Sequence, residues 1–354
     1  MTLGRRDFSR VMLGGALAFP LGCASAPPRA VGRMKLSLQI PADYEEEDLV
    51  FARQLGVDYV SIPTRGGTYE VFAEHRRRVE AAGLKVANIG NSSVHNMPEV
   101  TLNLPGRDAK IEEYKQYLRN LARAGITYTT YAHMGNGIWS SARGTTRGGA
   151  SARTFDLADA KGQWDGKVFE PPLSHGRKFS PEELWENWTT FIKRVAPVAE
   201  EVGVRIGVHP DDPPVPELAG VPRCIFGTFD GYVRALRIAN SPNVGVCLCC
   251  GTWMEGGAGM GKDVVEAIRA FAGMGKLWKI HFRNVSSPIP SFVETYVDDG
   301  YTDMKRVMRT LVEVGFDGIL IADHVPTMAG GRKTGWAYSI GYIKALYDTA
   351  REGR

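Results

Sequence analysis

Charge of one sign is nearly absent from this chain of 354 residues. The formal net charge of +4 arises close to the N-terminus, where residues 1–33 hold five Arg against one Asp; the remainder balances at 38 basic and 38 acidic side chains. No basic stripe with interleaved aromatics is present, which excludes a nucleic-acid binder. Long apolar runs are missing too. Beyond the first 30 residues nothing approaches the ~18 uninterrupted apolar residues that a bilayer requires, so no membrane span is expected. Cysteine is scarce and oddly placed: of Cys23, Cys224, Cys247, Cys249 and Cys250, three fall within four positions. That spacing matches neither a disulfide framework nor a zinc ribbon. Free thiols in such a cluster need deep burial or a metal to protect them.

What is present begins with a distinctive N-terminus. Arg5-Arg6 precedes Asp7-Phe8, the apolar run from Val11 to Leu21, and then small residues. A charged start, a short apolar stretch and a small-residue exit form a secretion signal, and the Arg pair points to the twin-arginine route. Residues 1–30 are therefore set apart, with export to the periplasm expected and 31–354 forming one catalytic domain. Leu21-Gly22-Cys23 resembles a lipoprotein box and Ala24-Ser25-Ala26 a cleavage site. A lipid anchor at Cys23 and a soluble product both remain open.

From residue 34 onward the chain keeps a regular beat. Runs rich in β-branched and aromatic residues fall at 34–40, 58–62, 85–89, 126–132, 204–209, 244–249, 277–283 and 318–323. Helical patterns lie between them, among others at 69–82, 108–124, 181–202, 262–273, 303–314 and 337–351. Ser180-Pro181-Glu182-Glu183 is an N-cap followed by Pro at the first helical position. Gly56, Gly83, Gly125, Gly203 and Gly315 stand where left-handed caps would end helices before the next strand. Eight strands alternating with helices predict an α/β protein with a parallel sheet closed into a (β/α)8 TIM barrel. The longest interruption, about 134–179, follows the fourth strand and is expected as a loop over the active-site face, where it would act as a lid.

Barrel enzymes place their chemistry at the C-terminal ends of the strands. There His209 ends the fifth strand and Cys249 the sixth, His281 lies near the end of the seventh, and Asp323 ends the eighth. Two imidazoles, a thiolate and a carboxylate carry a charge near −2, which a divalent ion neutralises while lowering the thiol pKa. Ligand softness favours Zn²⁺ or Fe²⁺ over Mg²⁺.

The residues around these ligands carry a resemblance. His209-Pro210-Asp211-Asp212-Pro213-Pro214, Gly220-Val221-Pro222-Arg223, Leu248-Cys249-Cys250-Gly251-Thr252, His281-Phe282-Arg283-Asn284-Val285, Asp303-Met304 and Asp323-His324 follow one another as in the mannonate dehydratase family. The similarity continues upstream through Val94-His95, Tyr114 to Ala122, Tyr131 to Trp139 and Glu182 to Asn187, covering most of 35–350. It implies a metal-dependent barrel of the xylose-isomerase-like superfamily with His209, Cys249, His281 and Asp323 as ligands. It implies Mn²⁺ or Fe²⁺ as the metal and dehydration of D-mannonate to 2-dehydro-3-deoxy-D-gluconate in the cytoplasm.

Dehydrating a sugar acid needs a base for the C2 proton, an acid for the C3 hydroxyl and stabilisation of the enediolate. Asp323 and His324 are the closest candidates for proton handling, with Tyr338 behind them. Arg283 and Asn284 could hold substrate oxygens, Arg223 the carboxylate, and Asp211, Asp212 and His95 hydroxyls. A loop-anchoring role stays open for Arg223 and Asn284, and a capping or turn role for Asp211 and Asp212. The chain departs from the family where Trp139-Ser140-Ser141 replaces Trp-Thr-Arg, and where Ile321-Ala322-Asp323-His324-Val325-Pro326 lacks two Arg. An isomerase, epimerase or eliminase acting on another carbohydrate is the alternative, and a non-catalytic sugar- or metal-binding barrel a second.

Overall fold

The computed structural model describes residues 33–352. Eight strands form its central sheet: β1 (Lys35–Gln39), β2 (Tyr59–Thr64), β3 (Lys85–Asn91), β4 (Tyr128–Tyr131), β5 (Arg205–Val208), β6 (Val244–Cys249), β7 (Leu277–His281) and β8 (Ile319–Ile321). Each is followed by a helix: α1 (Glu46–Gln54), α2 (Tyr69–Ala81), α3 (Arg107–Arg123), α4 (Pro181–Val202), α5 (Phe229–Ala239), α6 (Val264–Gly273), α7 (Met304–Glu313) and α8 (Arg332–Glu352). The strands run in the order β3-β2-β1-β8-β7-β6-β5-β4, all neighbours parallel. This is the expected (β/α)8 barrel.

Closure is completed by side chains. No backbone ladder joins β3 to β4, but the Tyr117 hydroxyl of α3 donates to the Ile89 carbonyl of β3 at 2.6 Å. It accepts in turn from the Thr129 hydroxyl of β4 at 2.7 Å, so side chains bridge the seam without a ladder. Packing inside the barrel depends on small residues as well. A Cβ at Gly207 would strike the Tyr128 hydroxyl, which fills the floor beside Trp278 and Ile319.

Local signals act as the sequence implies. Ser180 and Glu183 form a reciprocal capping box on α4 (3.2 and 2.7 Å), and Gly203 ends that helix at φ 68°. Gly56, Gly83, Gly125 and Gly315 also adopt positive φ. Buried α4 residues Trp188, Phe191 and Val195 recur at helical spacing and face the barrel.

The 134–179 segment is not an unstructured loop. Ile138–Ser140, Lys161–Trp164 and Lys167–Phe169 form a small antiparallel sheet, and Thr154–Asp156 pairs with Ser291–Thr295. Its strands are two to four residues long, too short for periodicity to reveal. No helix among the described residues is long and apolar enough to cross a membrane.

Candidate metal centre

Strand ends bring the ligand candidates together. Ligand atoms of His209, Cys249 and His281 all lie within 4.8 Å of one another, and all three residues are buried. His209 follows β5 directly; its Nδ1 donates to the Pro210 carbonyl at 2.8 Å, leaving Nε2 as the free lone pair. Cys249 ends β6 and caps the short helix Cys250–Gly256, its Sγ accepting from the Thr252 amide at 3.4 Å. His281 ends β7 with Nε2 3.3 Å from the Cys247 sulfur and a buried Nδ1 that makes no hydrogen bond.

Asp323 stands at the edge of this set. One oxygen is 3.4 Å from His281 Nδ1 and the other 3.9 Å from Cys249 Sγ. Its φ of 61° is a left-handed conformation that a side chain-bearing residue holds only at a cost of roughly 1 kcal/mol or more. Burial opposes the Asp323 charge, yet His281, His324 and Arg283 hold the carboxyl well below its ordinary value. Burial pushes the Cys249 thiol well above its usual range and lowers His281 to about 3. Two neutral imidazoles with orphaned lone pairs, a buried sulfur and an ionised carboxylate fit a divalent cation, which would keep the thiol deprotonated.

A buried charge network supports one side of the site. Arg283, 1% exposed, reaches Asp323 (3.0 Å), Asp212 (3.2 Å), Glu255 (2.8 Å) and Glu294 (3.3 Å). A Cβ at Gly251 would collide with this guanidinium. Arg153, delivered by the 134–179 segment, donates to Asp212 (2.6 Å), Glu294 (3.0 Å) and the Trp139 carbonyl (2.7 Å). His324 bonds Glu294 at 2.9 Å, and Asp323 and Glu294 together raise it to about 9. Its side chain is 43% exposed, so water at the mouth weakens those attractions.

A cavity of about 290 Å³ opens over the ligands. His95, Asp212, Lys279, Trp164 and Asn88 line it with His209, His281, Asp323 and His324. His95 donates through Nδ1 to the Thr130 carbonyl (3.1 Å) and packs on Trp164, with ring centroids 5.2 Å apart. Burial and the neighbouring His209 lower it to about 3, so it is a neutral acceptor.

Other expected substrate groups lie off this wall. Arg223 is a loop anchor, donating to Asp212 O (3.0 Å), Asn136 Oδ1 (3.1 Å) and Gly137 O (2.7 Å). Asn284 ties down a strap through the Thr302 carbonyl (2.9 Å). Asp211 is buried beside Arg223, its carboxyl raised to about 6 by burial. Tyr338 packs with Tyr296 and accepts from Arg147 (3.2 Å), outside the cavity lining. Arg283 reaches the site only through its carboxylate partners. Residues not singled out in the sequence are Lys279, Glu255, Glu294 and Arg153. Asp212 sits beside Asp211 in the motif, and the Pro-framed turn gave no reason to prefer one. Glu255, Glu294 and Arg153 come from short irregular segments that carry no periodic signal.

The chain matches the D-mannonate dehydratase (UxuA) family over residues 59–352. It belongs to that family. A mannonate dehydratase of Streptococcus agalactiae serotype V is 30% identical over 350 residues, 88% of this chain and 97% of the relative. The crystal structure of mannonate dehydratase from Streptococcus suis serotype 2 superposes with a TM-score of 0.79 at 25% identity, over 91% of this chain and 95% of that one. A xylose isomerase domain protein of Planctomyces limnophilus shares the fold alone, at 16% identity and a TM-score of 0.58 over 91% of this chain and 99% of that one.

Family membership overturns one expectation. Export to the periplasm by the twin-arginine route set this chain apart from its relatives, and those relatives are mannonate dehydratases that give it no support. An Arg pair before eleven apolar residues is a short compositional pattern, and a match over some 350 residues outweighs it. The segment itself, residues 1–30 with the lipoprotein-like Cys23, lies outside the described residues.

Proposed function

We propose that this chain dehydrates D-mannonate to 2-dehydro-3-deoxy-D-gluconate and water, with one divalent ion held by His209, Cys249, His281 and Asp323. The observation that carries the reading is the convergence of buried His209, Cys249 and His281 at strand ends, with His281 Nδ1 unpartnered, in a chain of this family. The mixture of imidazole, thiolate and carboxylate suits Fe²⁺ and Zn²⁺, and the family resemblance favours Mn²⁺ or Fe²⁺. When bound, the ion supplies Lewis-acid stabilisation for the negative charge that develops on the acid as its C2 proton leaves.

The protein's own groups handle binding and protons. Asp323 and His324 are assigned to proton handling. His324 carries a proton at neutral pH and gives it to the departing C3 hydroxyl. Glu294 orients the ring through Nδ1, leaving Nε2 as the donor. His95, too weakly basic to take a carbon-bound proton, holds a substrate hydroxyl through Nε2. Trp164 and Met134 close the cavity walls and limit water.

The test is product formation. Protein loaded with Mn²⁺ or Fe²⁺ and given D-mannonate should yield the 2-keto-3-deoxy acid. No product across Mn²⁺, Fe²⁺, Zn²⁺ and Co²⁺ would overturn the reading.

A further inference from the structure

The barrel interior holds one charged group that the dehydration chemistry above does not use. Lys279 lies in the middle of β7, only 3% exposed, and lines the 290 Å³ cavity. A register shift between Val246 and Cys247 places it there. After the shift Lys279 pairs with Cys247 and His281 with Cys249, so all four side chains share the interior face. From that face the Lys279 ammonium reaches across to β4, where Thr130 Oγ1 accepts at 3.3 Å.

Its remaining donors have no such partner. An ammonium has three N–H donors. Among the described residues no carboxylate lies within 4.0 Å of Nζ, although this barrel end is rich in acids. Asp212, Glu255 and Glu294 are already paired with Arg153 and Arg283. Asp323 is bonded to Arg283. A buried cation without a counter-ion is costly, and such groups are retained where something neutralises them. Asn88 lines the same cavity, and its buried Oδ1 has no hydrogen-bond partner. An ammonium short of an acceptor and an amide oxygen short of a donor complement an anionic oxygen and a hydroxyl, the two groups of a 2-hydroxycarboxylate.

We propose that Lys279 is the specificity-determining residue that reads the negative charge of the substrate, holding its carboxylate at the cavity floor, with Asn88 accepting from an adjacent hydroxyl. This rests on the dehydratase reading for the identity of the acid but not for the existence of the anion subsite. The arginines nearest the mouth do not serve. Arg153 is engaged by Asp212 and Glu294, while Arg143 and Arg332 are exposed on a neighbouring cavity.

The test compares D-mannonate with its neutral amide, D-mannonamide, which keeps the shape and removes the charge. Binding of both to the metal-loaded protein is measured by calorimetry for the wild type, Lys279→Met and the control Arg332→Met. The wild type should prefer mannonate. Lys279→Met should lose at least tenfold of that preference with one metal ion per chain retained, and Arg332→Met should keep it. Thermal stability of Lys279→Met should equal or exceed the wild type, since an uncompensated buried charge is removed; a purely structural lysine would lower it. An unchanged preference in Lys279→Met, or its loss in Arg332→Met instead, overturns the proposal. If Lys279→Met does not fold, Lys279→Gln is measured in its place, and a wild type that binds acid and amide equally overturns the proposal by itself. Wild-type protein that binds mannonate in this charge-dependent way yet forms no product refutes the dehydratase reading and leaves the anion subsite standing.

Discussion

Replacing Arg283 with Met removes the cation that four carboxylates share. Asp212, Glu255, Glu294 and Asp323 lie 2.8 to 3.3 Å from its guanidinium, and the residue is 1% exposed. Removing one partner of a buried pair costs about 3–5 kcal/mol because the other charge stays buried. Arg153 still neutralises Asp212 and Glu294, which places the expected loss near the lower end, about 3 kcal/mol. For a domain of this size that corresponds to a fall in Tm of roughly 4–5 °C. Glu255 is the member with the least alternative support. Burial and its neighbours raise it to about 7, and its other guanidinium contact, to Arg153, is 3.6 Å. The double variant Arg283→Met/Glu255→Gln should therefore recover at least ~1 kcal/mol of the loss. Urea unfolding of the single and double variants at pH 7.5 gives both numbers. A loss below 1 kcal/mol in Arg283→Met, or no recovery in the double variant, would refute the reading of this cluster as a mutually dependent charge network.

Cys249→Ser should weaken binding of Mn²⁺ or Fe²⁺ at least 100-fold, about 2.8 kcal/mol, and abolish turnover; metal analysis after gel filtration checks it. His324→Gln should keep one metal per chain while kcat for mannonate falls by roughly 10²–10⁴ and KM moves less than tenfold. His133 is buried among Trp188, Phe191 and Phe226, lowered to about 3 by burial, and its Nδ1 accepts from the Tyr131 hydroxyl at 2.8 Å. The unfolded chain binds the extra proton below the unfolded value of about 6.5, so this group's stabilising effect declines by about 1.4 kcal/mol per unit as pH falls toward 3. His133→Phe should be about 1 kcal/mol less stable at pH 7.5 through loss of the hydrogen bond, and overtake the wild type below about pH 6. Parallel urea curves with a constant gap across pH would count against it.

Much of the fold was legible because strand and helix carry different periods and because helix ends are chemically marked. Ser180, Glu183 and Gly203 bound α4 where the sequence implies. The clustering of His209, Cys249 and His281 was legible for a related reason: a barrel turns the order of its strands into spatial adjacency, so candidate donors at the ends of consecutive strands come together. The charged surroundings were not. Arg153, Glu255 and Glu294 come from short strands and turns that no periodicity marks, and nothing local says that Arg153 will be carried to Asp212. Lys279 was hidden by the opposite effect. It lies inside the apolar strand run LWKIHFR, where a lysine is ordinarily read as pointing to solvent, and only the register shift at Val246/Cys247 turns it inward.

The loss of arginines from the end of β8 takes on a different meaning in this setting. Ile321 and Pro326 occupy positions where the family resemblance leads one to expect guanidinium groups, and Ser141 another. Yet the buried acids are not left unpaired, because Arg153 enters from the 134–179 segment and donates to Asp212 and Glu294. A cation supplied from a peripheral strand can neutralise the same carboxylates as one supplied from the barrel, since the pairing depends on where the guanidinium ends and not on where its backbone begins. The segment is then tied to the barrel side of the site by strand pairing. Its strand Thr154–Asp156 is clamped to Ser291–Thr295, next to Glu294 itself. Changes in this segment should consequently act on His324, proposed above as the proton donor, through Glu294, without any contact with substrate.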